Sequence, residues 1–106
     1  MYTRAVRIEW DEEKNATNAR KHGFDFRDAH EIFESPMFVR EDTRMAYGEQ
    51  RWIAVGTIRG RVAVMVYTER DDGETARIIS LRMALKHEQA RYREVVLGLE
   101  AHRRDD

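Results

Sequence analysis

The stretch Arg77-Ile78-Ile79-Ser80-Leu81-Arg82-Met83-Ala84 near the end of the chain is the most informative about the fold. Its apolar residues predict a strand, and the start of a helix follows at once. Two arginines interrupt this strand, although a central strand normally avoids buried cations that lack an anionic partner. Arg77 and Arg82 therefore either pair with carboxylates inside the protein or face an anion from outside. Because guanidinium suits phosphate and carboxylate equally well, the run alone leaves both readings open.

Length and composition limit the classes of protein to consider. The 106 residues suffice for one domain with a modest core, which we expect to span residues 1–106. The absence of cysteine excludes disulfides, thiolate metal sites and cysteine nucleophiles. No stretch approaches the roughly 20 apolar residues of a membrane span, and the N-terminus lacks the pattern of a signal peptide. We therefore expect a cytoplasmic protein that does not act at a membrane.

The formal net charge of -1 conceals an uneven distribution of charge. Residues 9–13 contain only acids among their charged residues: Glu9, Asp11, Glu12 and Glu13. Residues 77–93 contain one acid, Glu88, against the bases Arg77, Arg82, Lys86, Arg91 and Arg93. A nearly neutral total is therefore compatible with a basic face that binds a polyanion.

The N-terminal half predicts a short strand and two helices. Alternation predicts a strand from Ala5 to Glu9. Asp11 then suits the N-cap of a helix, and Gly23 suits the position just after its C-terminus. A second helix is predicted to start near Asp25 and to end before the only proline, Pro36. Its apolar face consists of Phe26, Ala29, Ile32 and Phe33.

The C-terminal half predicts a meander of strands followed by one helix. Alternation places the strands at about Met37–Glu41, Arg51–Thr57, Arg61–Glu69 and Thr75–Leu81. Arg59-Gly60 and Asp71-Asp72-Gly73 suit the tight turns between antiparallel neighbours. The last helix begins near Lys86 and carries the apolar stripe Tyr92, Val95, Val96 and Leu99. We expect an α+β fold in which an antiparallel sheet carries all three helices on one face and is partly open on the other.

Residues spread over most of the chain also match a known pattern in their order and spacing. They are Glu9-Trp10-Asp11, Lys14, Asn18, Lys21-His22-Gly23, Phe26, Ala29, Phe33, Tyr67-Thr68-Glu69-Arg70, Arg77-Ile78-Ile79-Ser80, Arg82, Ala84, Glu88 and Tyr92. From about Ile8 to Tyr92 the chain resembles the BrnT toxins of bacterial type II toxin-antitoxin systems. The resemblance implies a RelE-like α+β fold and a ribonuclease that inhibits translation.

The resemblance also implies the partners of the protein. Members of this family are neutralised by a BrnA-like antitoxin that has a ribbon-helix-helix DNA-binding domain. Toxin and antitoxin form a hetero-oligomer that represses its own operon, so operator DNA would be reached only through the antitoxin. No cofactor is expected.

The chemistry of RNA cleavage selects the candidate site residues. Metal-independent cleavage uses the 2′-hydroxyl of the RNA as nucleophile, so it needs a base, an acid and cations around the phosphorane. The expected phosphate clamp consists of Arg70, Arg77 and Arg82, with Arg51 as a possible fourth member. Candidates for the base are Glu49 and Glu69, and candidates for the acid are Lys21, His22 and Tyr67. Tyr67, Lys86 and Arg91 are further expected to contact RNA.

Plainer interpretations compete with these assignments. Lys21 and His22 lie where cations stabilise a helix C-terminus. Ion pairing with Glu9, Glu49 or Glu88 is the alternative role of Arg77 and Arg82. Asp71-Asp72-Gly73-Glu74 reads as a solvated turn, and His87-Glu88 lacks a second histidine at position 91, so no metal site is expected. The alternative function is a non-catalytic binding module, or operon co-regulator, that uses the same face only to hold a protein partner.

Overall fold

The computed structural model describes residues 6–104, with side chains as far as Gly98. The predicted strand residue Ala5 and the side chain of Leu99 lie outside the described residues. The strands are β1 (Arg7–Glu9), β2 (Phe38–Glu41), β3 (Trp52–Ile58), β4 (Arg61–Arg70) and β5 (Thr75–Met83). The helices are α1 (Glu12–His22), α2 (Ala29–Glu34), which a 3₁₀ turn at Phe26–Asp28 precedes, and α3 (Lys86–Arg104). None of these helices is long and apolar enough to cross a membrane.

Local signals account for the ends of α1. The carboxylate of Asp11 accepts a hydrogen bond from the backbone N–H of Lys14, as an N-cap does. At the other end Gly23 adopts φ 77° and its N–H donates to the carbonyl of Ala19, a left-handed conformation that glycine tolerates best. The 3₁₀ turn is capped in the same way, because Asp25 accepts from the backbone N–H of Arg27. The predicted starts and ends of these elements are therefore confirmed.

The five described strands form one sheet in the order β1-β5-β4-β3-β2. Neighbours from β2 to β5 are antiparallel, and the predicted Arg59-Gly60 turn joins β3 to β4 with both residues at positive φ. β1, however, pairs with β5 in parallel, so the predicted α+β fold is observed with a mixed sheet in place of an antiparallel one. A long connection separates β1 from β5, so no hairpin turn dictates their relative direction.

The two faces of the sheet carry different helices. The core face presents Ala54, Met65, Ile78 and Leu81, which pack with Phe26 and other residues next to α1 and α2. The opposite face, here called the arginine face, presents Val55 and Val66 at one end and Arg77 and Arg82 on β5. α3 packs on the arginine face, because Tyr92 and Val96 join the cluster that contains Val55 and Val66.

The prediction that all three helices cover one face was therefore wrong. The helices are divided between the two faces because β3 and β4 are apolar on both faces along part of their length. Both faces must therefore be covered by other elements. Tyr92 fixes the position of α3, since its ring stacks on Phe38 at 6.4 Å and its hydroxyl donates to the carbonyl of Pro36 at 2.6 Å. The part of the arginine face that α3 leaves uncovered carries the candidate site.

Candidate functional site

Register brings the arginines of β4 and β5 together at one end of the sheet. Arg77 lies opposite Thr68 on β4 and Glu9 on β1, and Arg70 lies opposite Thr75. Arg70 and Arg77 are therefore diagonal neighbours on the arginine face, a relation in which Cα atoms are about 7–8 Å apart. This end of the sheet, defined by Glu9, Arg70 and Arg77 with Glu49 and Arg51, is here called the Arg70 cluster.

Each guanidinium of the Arg70 cluster has a carboxylate partner. Arg77 donates through Nη1 to Oε2 of Glu9 at 2.8 Å, and the two side chains remain 35% and 42% exposed. Glu49 lies between the other two arginines, 3.5 Å from Nε of Arg51 and 3.7 Å from Nη2 of Arg70. Glu49 and Arg70 also line a cleft of about 400 Å³ beside the turn at residues 71–73. The cluster is thus paired but open to solvent.

Arg82 forms a stronger pair at the other end of β5. Its Nη1 and Nη2 donate to the two carboxylate oxygens of Glu88 at 2.7 and 2.9 Å, which is the bidentate geometry that arginine forms best. Glu88 also accepts from the backbone N–H of Leu85 and so caps α3. The Arg82 hydrogen bonds, aided by the Leu85 N–H, lower the pKa of Glu88 to about 2.

α1 brings two more candidates next to Arg82. Asn18 binds the free edge of β5 by donating to the carbonyl of Leu81 at 2.8 Å and accepting from its N–H at 3.1 Å. One turn later Lys21 and His22 line a cleft of about 470 Å³ whose other wall includes Ser80. We call this the edge cleft; its lining is Glu13, Lys14, Thr17, Asn18, Lys21, His22, Ile79 and Ser80.

The electrostatics of the edge cleft link it to Arg82. Burial, followed by the positive charges of Lys21 and Arg82, lowers the pKa of His22 from its usual 6.5. His22 is therefore mainly neutral at pH 7 and able to accept a proton. Lys21, His22 and Arg82 form a second group, the Arg82 cluster. Arg77 and Arg82 are five positions apart, about 16 Å along a strand, so the two clusters lie toward opposite ends of β5.

Comparison with known proteins identifies the family of the chain. The family described as "Ribonuclease toxin, BrnT, of type II toxin-antitoxin system" matches residues 10–88. The chain belongs to the BrnT family. It is also similar to the BrnT ribonuclease toxin of Brucella abortus, whose crystal structure is known at 1.1 Å resolution, with 31% identity and a TM-score of 0.59. That match covers 77% of this chain and 100% of the Brucella chain. No curated protein matches this chain.

Other predicted site residues of this BrnT family member lie apart from both clusters. Tyr67 is 6% exposed on the core face, its ring packs edge-on against Phe33 at 5.5 Å, and burial, with a smaller effect of Glu69, raises its pKa to about 12. Its packing and pKa argue against a role as an RNA contact or proton donor. Glu69 is exposed, and alternation places it with Tyr67 on the core-face side of β4. Lys86 and Arg91 are exposed on α3.

One hydrogen-bonded network next to the arginine face was not predicted from the sequence. Asp42, with a fully buried side chain, accepts hydrogen bonds from Arg44 and Tyr47. The Arg44 hydrogen bonds hold the pKa of Asp42 well below its usual range. The sequence signal for this network is an Asp-x-Arg spacing directly after a strand. The spacing alone does not predict the network, because many such pairs occur in exposed loops.

Metal ligands do not converge in the part of the chain that the structure describes. Within it, no three His, Asp or Glu side chains are grouped closely enough to hold a metal ion.

Proposed function

We propose that this BrnT family member is a metal-independent endoribonuclease that cleaves RNA and thereby inhibits translation. One observation carries the proposal: Lys21 and His22 line the edge cleft, and the positive charge of Arg82 acts on His22, in a chain whose family consists of ribonuclease toxins. Cationic and proton-accepting groups at a cleft suit a phosphodiester better than an uncharged ligand.

The environment of each group suggests its role in cleavage. His22, whose pKa is lowered, removes the proton from the 2′-hydroxyl, and the resulting oxyanion attacks the adjacent phosphorus. Arg82 stabilises the charge of the phosphorane. Lys21 donates a proton to the departing 5′-oxygen, so that a 2′,3′-cyclic phosphate and a free 5′-hydroxyl are formed. Glu49 is less suited to act as the base, because two arginines hold its carboxylate.

The Arg70 cluster supplies a second contact with the RNA backbone. Arg70, Arg77 and Arg51 lie too far from Arg82 to act on the scissile phosphate, so they bind phosphates farther along the strand. Lys86 and Arg91 on α3 contact the RNA outside both clusters. Arg77 and Arg82 keep about a third of their side chains in solvent, 35% and 31%, which leaves donors available to an incoming anion.

The test is cleavage of a labelled single-stranded RNA by the purified chain in the presence of a chelator. We expect cleavage that yields 2′,3′-cyclic phosphate ends. Removing one charge-stabilising donor typically costs about 10²–10³ in rate, so Arg82→Ala should lower the rate by about that factor. Arg27→Ala is the matched control, because Arg27 also belongs to an ion pair but lies on the 3₁₀ turn and is 69% exposed.

Folding must be measured in parallel with cleavage. If Arg82→Ala unfolds the chain, Glu88→Gln becomes the informative variant, because its amide can still accept from Leu85 and Arg82. Wild type that is folded but leaves RNA intact, with or without Mg²⁺, would contradict the proposal. Cleavage that disappears only when the chelator is added would contradict the metal-independent mechanism.

The proposed partner is a BrnA-like ribbon-helix-helix antitoxin that neutralises the toxin in the cytoplasm. The type II family to which the chain belongs supports an antitoxin partner. We expect co-expression with the product of an adjacent short gene to yield a stable hetero-oligomer that binds operator DNA, whereas the toxin alone does not bind it. Size-exclusion chromatography with light scattering gives the stoichiometry of the complex.

A second candidate function, a non-catalytic binding module, is favoured by one observation. Arg77 and Arg82 both have a glutamate partner within the chain, as purely structural arginines would. If this is their role, induction of the folded wild type should leave growth unaffected, while antitoxin binding persists. Growth arrest that Arg82→Ala relieves, in cells where the variant accumulates as folded protein, supports the nuclease instead.

A further inference from the structure

The loop between β2 and β3 is built around one buried carboxylate. Asp42 has a side chain that is 0% exposed. It accepts hydrogen bonds from Nε, Nη2 and the backbone N–H of Arg44 at 2.7, 2.8 and 3.2 Å, and from the hydroxyl of Tyr47 at 3.1 Å. A buried carboxylate is costly unless it is satisfied in this manner. The loop conformation and the position of Arg44 are thus determined together.

The guanidinium of Arg44 is bound to Asp42 and is also exposed to solvent. Its side chain is 62% exposed although two of its nitrogens bind Asp42. A guanidinium has five N–H donors, and the hydrogen bonds to Asp42 use Nε and Nη2. The exposed part of the guanidinium is therefore held in a fixed orientation. A pre-oriented arginine loses less entropy when it binds an anion than a freely rotating one does.

The same loop contacts the Arg70 cluster. The backbone N–H of Asp42 donates to the carbonyl of Arg51 at 2.8 Å, and the guanidinium of Arg51 stacks on the ring of Tyr47 at 4.0 Å. This joins Asp42 to the Arg70 cluster. The positive charge of Arg44 also opposes the rise that Glu88 causes in the pKa of Arg82.

We propose that Arg44 is a phosphate-binding residue beside the Arg70 cluster, and that Asp42 is its positioning residue. Its ligand is the backbone of single-stranded RNA, so this inference rests on the proposed function. Arg44 then adds a phosphate contact to those of the Arg70 cluster along the path of the strand.

The test measures RNA affinity as a function of salt. A 2′-O-methyl RNA 12-mer cannot be cleaved through the 2′-oxygen, and its binding is followed by fluorescence anisotropy from low to moderate salt. For a single strand, the slope of log Kd against log salt falls by about 0.7 for each phosphate that the protein no longer neutralises. We expect Arg44→Ala to lower the slope by about this amount and to weaken binding by about tenfold, the size typical of one charged hydrogen bond.

A paired substitution tests the role of Arg44 without leaving a buried charge unpaired. Arg44→Ala leaves Asp42 buried without its main partner and is at risk of misfolding. The double variant Asp42→Asn with Arg44→Gln replaces the ion pair by a neutral pair that can still form hydrogen bonds, and it leaves the net charge unchanged. We expect it to lower the slope like Arg44→Ala. Tyr47→Phe, which removes one hydrogen bond from Asp42 and leaves the Arg44 pair intact, should retain the wild-type slope.

The outcomes also separate this inference from the proposed function. If the double variant is folded and keeps the wild-type slope while Arg82→Ala lowers it, Arg44 only neutralises Asp42 and the inference is overturned. If the folded wild type neither binds the 12-mer nor cleaves unmodified RNA, the proposed function fails, and this inference fails with it.

Discussion

The two faces of β5 have opposite surroundings. Ile78 and Leu81 on the core face are 1% and 0% exposed, whereas Arg77 and Arg82 on the arginine face keep 35% and 31% of their side chains in solvent. Successive side chains of a strand point to opposite faces, and the irregularity in the β4–β5 pairing at Val66 and Tyr67 shifts this alternation by one residue. One strand therefore contributes to the core and to a charged surface. Substitutions on the core face should therefore cost stability, and most substitutions on the arginine face should cost function.

The largest effect is expected from Phe26→Ala. Phe26 is completely buried on the core face, and removing such a ring leaves a cavity that costs about 3–5 kcal/mol of unfolding free energy. Urea denaturation followed by circular dichroism measures this loss. The control is Val39→Ala, since Val39 is 41% exposed on the edge strand β2 and should change stability by about 0.5 kcal/mol or less. Equal losses in the two variants would mean that the core face is not the stabilising one.

Most substitutions on the arginine face should cost function and not stability. The pair of Glu88 and Arg82 should be an exception, because it lies on the arginine face and still contributes to stability. The pKa of Glu88 is 4.5 in the absence of its partners and about 2 in the folded protein. Since the folded pKa is depressed, the pair stabilises the fold above pH 4.5, and this contribution is lost as the pH falls toward 2. After allowance for the partial exposure of Arg82, we expect about 2 kcal/mol at pH 7.

Glu88→Gln isolates this contribution. The difference in unfolding free energy between wild type and Glu88→Gln should be largest near neutral pH and should shrink progressively below pH 4.5. Urea titrations at several pH values measure it, and the other carboxyl groups largely cancel in the difference. A difference that does not depend on pH would show that the charge of Glu88 adds nothing to its hydrogen bonds.

An intermediate effect is expected from crowding the core face with Gly56→Ala. An added Cβ would lie 2.6 Å from Oγ of Ser35 and 3.0 Å from Cγ2 of Ile32. The Ser35 hydroxyl cannot easily turn away, because it donates to the carbonyl of Ile32 at 2.7 Å and accepts from the N–H of Thr57 at 3.1 Å. Overpacking of this kind costs about 1–3 kcal/mol, which thermal or urea denaturation would detect.

Two further variants sharpen the crowding experiment. In Gly98→Ala the added Cβ meets no atom within 4 Å among the described residues outside the neighbouring backbone of α3. This variant should stabilise the chain by up to about 1 kcal/mol, because alanine has a higher helix propensity than glycine. Removing the Ser35 hydroxyl should relieve the clash, so the double variant Gly56→Ala with Ser35→Ala should lose less than the sum of the single losses. Additive losses would place the strain elsewhere.

Features set by neighbouring residues could be predicted from the sequence. The cap at Asp11, the left-handed Gly23 and the turn at Arg59-Gly60 each depend on a few adjacent residues, and each is observed. The parallel pairing of β1 and the position of α3 could not be predicted, because both depend on contacts between distant segments. The apolar residues on both faces of β3 and β4 did contain a signal for α3, which alternation alone conceals.

The candidate site shows the same contrast between features set by adjacent residues and contacts between distant segments. Register joins Arg77 to Glu9 across the sheet, a pairing that the sequence raised as an alternative but could not decide. The sequence identified Lys21 and His22 as candidates, yet the edge cleft that they line depends on Asn18, which binds the edge of β5 from 63 residues away. Arg44 was missed because its importance depends on the burial of Asp42 beneath the loop.

The smallest change in stability is expected from Arg77→Ala, which also tests the division between the faces most directly. Its ion pair with Glu9 is more than a third exposed on both sides, and such pairs contribute about 0–1 kcal/mol. If Arg77 binds RNA, Arg77→Ala should weaken binding of the 2′-O-methyl 12-mer and lower its salt slope by about 0.7. Glu9→Gln breaks the same ion pair but keeps the guanidinium, so it should not weaken binding. If both variants lose the same stability and neither changes RNA affinity, Arg77 is a structural partner of Glu9, and the path of the RNA does not include this end of β5.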